Sequence, residues 1–230
     1  MSFTIYNGRI RLTEPDGKAF DYEQFLLTTN PDGSRTLRTL TRSPVGDLLR
    51  DVNQMVAADW RPIEAMGRLF YKNQAHGTVL RRVVGDKLHS YVWTQGSEVD
   101  HAVFDAPPRM MVGFHPIFHD GWKMCYVSTD HHEYQDILTH TVSNTWNGKS
   151  LGHGLKVTGK VKFEGRENVT VPAGTFLSER FTWQTSFGKE LHVWRHGPDH
   201  LFIKLIVAKG DLAGSIYELS EVEIQQIKWP

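Results

Sequence analysis

Along most of the chain apolar and polar side chains alternate in short runs, and turn-forming residues interrupt the alternation about every ten positions. A period of two is the signature of strands with one face buried. Pro31-Asp32-Gly33-Ser34 separates strand-like runs near 20–29 and 35–42, and the two-residue turn Gly85-Asp86 joins 77–84 to 87–94. Farther on, Ser186-Phe187-Gly188 joins 176–185 to 189–196, Gly197-Pro198-Asp199 leads into 201–208, and Ser215 to Ile224 forms a last strand. Helical periodicity is scarce. The rhythm breaks at 47–58, which admits a short helix, and at 105–121, where Pro107, Pro108, Gly113, Pro116 and Gly121 rule out long regular structure. Strands of one character stand on both sides of that segment, so residues 1–230 are read as a single all-β domain. Its expected form is a strongly curved antiparallel sheet closing into a barrel or β-roll around a central pocket.

Turn positions fix registers. About Gly85-Asp86, Arg82 falls opposite His89, Leu80 opposite Tyr91 and Thr78 opposite Trp93, giving a face able to stack an aromatic ligand or to pack against a partner. About Ser186-Gly188, Thr185 falls opposite Lys189, Trp183 opposite Leu191, Phe181 opposite Val193 and Glu179 opposite Arg195. One face of this second hairpin is apolar, with Leu177, Phe181, Trp183, Leu191 and Val193, and it continues through Leu201, Ile203, Leu205 and Val207. The other face, including Ser178, Arg180, Thr182, His192, Trp194 and Phe202, is assigned to solvent, which leaves Trp194 and Phe202 unexplained.

Composition narrows the function. Twenty-six basic side chains balance twenty-six acidic ones, so the chain lacks the basic field that nucleic acid or an anionic membrane would require. Cys125 is the only cysteine and cannot form an internal disulfide. The N-terminal residues show no basic, then apolar, leader pattern, and no run approaches the ~20 apolar residues of a membrane span. A cytoplasmic location follows as the expectation.

Val171-Pro172-Ala173-Gly174-Thr175-Phe176 is followed by a strand carrying Val193-Trp194, by Phe202-Ile203-Lys204-Leu205 and by Gly214-Ser215-Ile216-Tyr217-Glu218-Leu219. This series resembles an uncharacterised bacterial family of β-roll proteins marked by a V-P-A-G-T-F turn, over about the C-terminal third of the chain. The resemblance implies a curved antiparallel roll of lipocalin-like character and no catalytic motif. In physical terms Pro172 fixes φ and donates no hydrogen bond, while Gly174 permits a bend that launches the next strand.

The densest chemistry lies in Phe114-His115-Pro116-Ile117-Phe118-His119-Asp120-Gly121-Trp122 and in Asp130-His131-His132-Glu133-Tyr134-Gln135-Asp136, followed by His140. A histidine beside a carboxylate is ordinary equipment for proton transfer near neutral pH, which makes His115, His119 and Asp120 the candidate catalytic group. Tyr91, Trp93, Trp183, Glu179 and Arg195 are the candidate substrate-binding residues. On an apolar face, a paired arginine is better placed in a pocket wall than in a simple core, and there Arg195 would meet a carboxylate, phenolate or oxyanion.

No metal site is expected. His115 and His119 would lie about 13 Å apart on an extended strand, and Pro116 opposes the helix that would bring them together. His192, His196 and His200 repeat every fourth position, but across strand and turn. A site gathered by the fold from His119, His131 or His132 and Asp136 is left open, as is the part played by His140. Nucleotide-binding, serine-hydrolase, zincin and dithiol motifs are absent from the sequence, so no cofactor is expected.

Two readings stand. One is a cofactor-independent lyase or isomerase moving protons on a hydrophobic, aromatic small molecule. The other is a non-catalytic carrier of the same kind of ligand. Nucleic acid and membrane are not expected partners, and a strand edge leaves a homodimer open.

Overall fold

The structure is a computed structural model that describes residues 2–43, 47–72, 74–142 and 151–228. The alternating runs become β1 (Ser2–Thr13), β2 (Ala19–Thr29), β3 (Arg35–Ser43), β4 (Leu48–Val56), β5 (Pro62–Tyr71), β6 (Gln74–Val84), β7 (Lys87–Thr94) and β8 (Asp100–Asp105). The proline-rich segment carries only the short β9 (Met110–Gly113) and one turn of helix, α1 (Phe118–Trp122). Then follow β10 (Gln135–Thr141), β11 (Leu155–Val171), β12 (Gly174–Thr185), β13 (Glu190–His196), β14 (Leu201–Lys209) and β15 (Ile216–Lys228).

The fifteen strands among the described residues join one sheet, in the order β8-β7-β6-β5-β4-β3-β2-β1-β15-β14-β13-β12-β11-β10-β9. Every neighbouring pair but β1 with β15 is consecutive in the chain, and only β9 with β10 runs parallel. The two ends of the chain therefore pair in the middle of the sheet, Ser2 opposite Lys228, while its midpoint supplies both edges.

That topology forces curvature. Laid flat, fourteen inter-strand steps of about 4.8 Å would hold the edges roughly 67 Å apart. Five residue steps join Asp105 at the end of β8 to Met110 at the start of β9, and they reach about 18 Å at most. The sheet has to roll up.

Its edge strands do not pair with each other, and side chains close the seam instead. Arg81 on β6 donates to the carbonyl oxygens of His140, Thr141 and His153. Phe104 packs 4.7 Å from His140, and His153 Nδ1 lies 3.1 Å from Ser90 Oγ.

Two cores fill the roll. The larger gathers side chains of β1–β4 and β9–β15 around Phe118 and Trp122, and the smaller joins Val52, Ala65, Val79, Leu88 and Val92 to Met110, Val112 and Phe114.

Both hairpin registers occur as expected, with Leu80 opposite Tyr91 and Glu179 opposite Arg195. The stretch 47–58 is not helical. Leu48, Val52 and Val56 share the inward face of β4 with Arg50 and Gln54, all buried, so polar side chains at inward positions interrupt the alternation that marks a strand.

The face of β12–β14 assigned to solvent is largely covered. Ser178, Thr182 and Trp194 are buried, with Trp194 Nε1 donating to Glu167 Oε1 at 2.7 Å. Phe202 is turned inward by a register shift that sets it opposite Arg195. Leu177, expected inside, is exposed.

Candidate functional site

The segment 114–123 is laid against the rolled sheet from inside, and three anchors hold it there. Phe114 packs against Gly67, where even a Cβ atom would meet its ring, and the Arg81 guanidinium stands 5.0 Å over that ring. Glu23 Oε2 accepts the N–H of Ile117 at 2.9 Å and the Thr41 hydroxyl at 2.7 Å, while its Oε1 accepts the N–H of Phe118 at 3.0 Å. Phe118 then packs 4.6 Å from Phe25, within a core where a fully buried aromatic contributes about 1.5–3 kcal/mol.

Glu23 points inward because the β1–β2 register slips. Ile10 faces Glu23 and Arg11 faces Asp21, leaving Tyr22 unopposed, so that Tyr22 and Glu23 are both buried. Burial pushes the Glu23 carboxyl up to about 7 even though Thr41, Phe118 and Ile117 all donate to it.

Against this segment opens a pocket of about 180 Å³. Val157, Trp183, Leu191, Leu205 and Val207 form its apolar wall. His115, Asp120, Lys123, Thr139, Thr141, Tyr22 and Tyr217 gather its polar groups.

Most of those groups already have partners. Lys123 Nζ lies 2.6 Å from Asp120 Oδ1 and 4.8 Å from the Trp183 ring, and the side chains of Lys123 and Asp120 are both largely buried. His115, in the left-handed region at φ 63, places Nε2 3.2 Å from Thr141 Oγ1. Tyr22 accepts from Arg50 at 3.2 Å and meets Tyr217 edge-on at 5.1 Å.

Among the candidate residues, the fold brings His115, Asp120 and Trp183 together at this pocket. His119 lies behind the wall, fully buried, with no partner for Nδ1, and burial holds its imidazole well below the ordinary histidine range. Tyr91 and Trp93 stand half-buried on β7, away from the pocket, with Tyr91 stacked 4.4 Å from His101. Glu179 and Arg195 form their pair, at 2.9 Å, but line a second, open cleft with His196, Pro198 and His200.

Sequence reasoning missed Lys123, Tyr22, Tyr217 and Glu23. Lys123 stands three positions after Asp120, a spacing that one helical turn converts into contact. Nothing local marks Glu23, whose backbone partners Ile117 and Phe118 lie more than ninety residues away. His131 pairs with Glu133, His132 Nδ1 bonds the Phe163 carbonyl, and His140 is buried in the seam. Among the described residues no three His, Cys, Asp or Glu side chains converge as a metal site would require, and no helix is long and apolar enough to cross a membrane.

Comparison with solved structures gives likeness in fold. Over 97% of both chains, the structure superposes at a TM-score of 0.60 and 9% identity on a beta-barrel-like protein of domain of unknown function DUF1849 from Brucella abortus. A DUF1089 family protein from Pseudomonas aeruginosa matches at a TM-score of 0.47 and 9% identity, over 79% of this chain and 88% of that one. No family model matches the sequence, and no curated protein matches it either. The chain thus shares a rolled, beta-barrel-like fold with the Brucella abortus protein of unknown function.

Proposed function

We propose that this protein binds a small hydrophobic, aromatic molecule with one polar end and holds it unchanged. The observation that carries the reading is a chamber with an apolar wall whose acid and base groups are already engaged, Asp120 with Lys123 and His115 with Thr141. An apolar cavity of about 150 Å³ takes up benzene, so a space of this size suits a single substituted ring. Trp183 and Leu191 would cover the ring's faces, and a hydroxyl or carbonyl on the ring would reach Lys123, Thr139 or His115.

A second reading, a cofactor-independent lyase or isomerase, draws on His115 and Asp120 lining one pocket. For proton transfer Asp120 would have to leave Lys123, and His119 cannot serve without a rearrangement that brings it through the wall. Calorimetric titration with p-cresol and with indole, followed by chromatography of the recovered ligand, separates the readings. Saturable binding with the ligand recovered intact supports the carrier. Conversion of either compound supports the enzyme, and absence of binding by both overturns the pocket assignment.

A further inference from the structure

The second cleft has a composition unlike the first. Arg195 lies at its floor with its side chain 5% exposed, and Arg166 stands at its rim with 56% exposed. Both guanidinium groups lean on one carboxylate: Glu179 Oε2 accepts from Arg195 Nε with Arg195 Nη2 2.9 Å away, and Glu179 Oε1 accepts from Arg166 Nη2. The other acidic side chain of the cleft, Asp130, receives the Ser128 hydroxyl at 3.2 Å.

Donor accounting then leaves Arg195 with capacity to spare. A guanidinium carries five N–H groups. Nε gives one to Glu179, Nη1 gives one to His200 Nδ1 at 3.0 Å, and Nη2 lies in ion-pair contact with Glu179. Counting one Nη2–H to Glu179, two remain, one on each terminal nitrogen, and N–H groups on both terminal nitrogens suit the two oxygens of a carboxylate or phosphate.

His200 adds a third donor. Because arginine can only donate, His200 Nδ1 must accept, and the ring proton therefore resides on Nε2. The ring is held in place by stacking on Trp60, 4.2 Å away and within 3° of parallel, while Arg35 lies 4.1 Å over Trp60 itself. Burial, with Arg195 and Arg35 nearby, pushes His200 down to about 2, so the ring stays neutral and keeps this tautomer.

We propose that this cleft is an oxyanion site, taking a carboxylate or a phosphate group on the remaining terminal N–H groups of Arg195, the Nε2–H of His200 and the rim guanidinium of Arg166. It is distinct from the apolar pocket and independent of what that pocket holds. A buried arginine already matched to a carboxylate gains little from two further N–H groups directed at nothing, whereas an anion uses both and repays their desolvation.

The test is titration of the whole protein with inorganic phosphate and, separately, acetate, followed by calorimetry and NMR shifts. Saturable one-to-one binding of at least one anion is expected, with a dissociation constant near or below about 1 mM. The anion that binds more tightly identifies the group recognised. Arg195→Lys keeps the charge and removes the guanidinium, and it should weaken binding at least about tenfold. Arg166→Gln lies at the rim and should leave thermal unfolding unchanged while weakening binding severalfold. The proposal fails if the wild-type protein shows no saturable binding of either anion up to roughly 10 mM. It fails equally if Arg166→Gln and a folded Arg195→Lys both bind as the wild type does.

Discussion

Glu23 Oε1 accepts the backbone N–H of Phe118 at 3.0 Å, joining the second strand of the sheet to the one turn of helix that carries Asp120 to the pocket. Position in the site is thus controlled from outside it. Because burial raises the Glu23 carboxyl to about 7, the folded protein binds this proton more readily than the unfolded chain, whose carboxyl titrates near 4.5. The associated stability is complete below about pH 4.5 and is lost as the pH rises through about 7. In Glu23→Gln that dependence is absent. Denaturant unfolding of the two proteins should show the wild type gaining on the variant as pH falls from 7 to 4.5, by at most about 1.4 kcal/mol per unit. A constant difference across that interval would show that Glu23 does not titrate there.

His140 works in the opposite direction. It is fully buried, neither ring nitrogen has a partner, and burial beside Arg81, Lys156 and His153 pushes it down to about 3. The unfolded chain takes up a proton near pH 6.5 that the folded chain refuses until about 3, so stability falls with acid across that range. His140→Leu should remove up to about 1.4 kcal/mol per unit of the slope between pH 6 and 4. An unchanged slope in denaturant titrations would place the acid sensitivity elsewhere.

Gly67 supports the pocket from a distance. A methyl group there would strike the Phe114 ring, and Phe114 immediately precedes His115. Gly67→Ala should cost about 1–3 kcal/mol by overpacking and weaken p-cresol or indole binding at the same time. Wild-type calorimetry and melting for this variant would refute the linkage.

Val207 lies on the apolar wall of the pocket, opposite Leu191 in the sheet. Filling the space with Val207→Trp should abolish aromatic binding while phosphate binding at the Arg195 cleft persists. Loss of both in a protein with an unchanged circular dichroism spectrum would mean that the two sites are not separate.

The strands and hairpin registers were legible in the sequence because turn chemistry and a period of two act locally: Gly85-Asp86 and Ser186-Gly188 each dictate which side chains oppose. Strand β4 was not, since Arg50 and Gln54 occupy inward positions where apolar residues would have completed the pattern. The site was legible only in part. His115 and Asp120 stood out by chemical type, but their environment depends on Glu23 and Tyr217, which come from β2 and β15. By sequence His119, next to Asp120, stands ahead of His115 as the acid or base, and only packing reveals that His115 lines the pocket while His119 is sealed behind it. For Glu179 and Arg195 the pairing followed from the turn, whereas the cavity they border depends on where the segment at 127–130 settles.

The pairing of β1 with β15 sets the order in which the roll can assemble. Every other strand finds its neighbour next along the chain, so two hairpin stacks can grow separately, one from each half. Joining Ser2 to Lys228 closes a loop of more than two hundred residues and has to await both stacks, because its entropy cost is offset only by a preformed ladder. Contact order therefore puts the central seam of the finished sheet last in the expected sequence of assembly. Until it closes, β1 and β15 are unpaired strand edges, and it is there that a folding intermediate would recruit a second molecule.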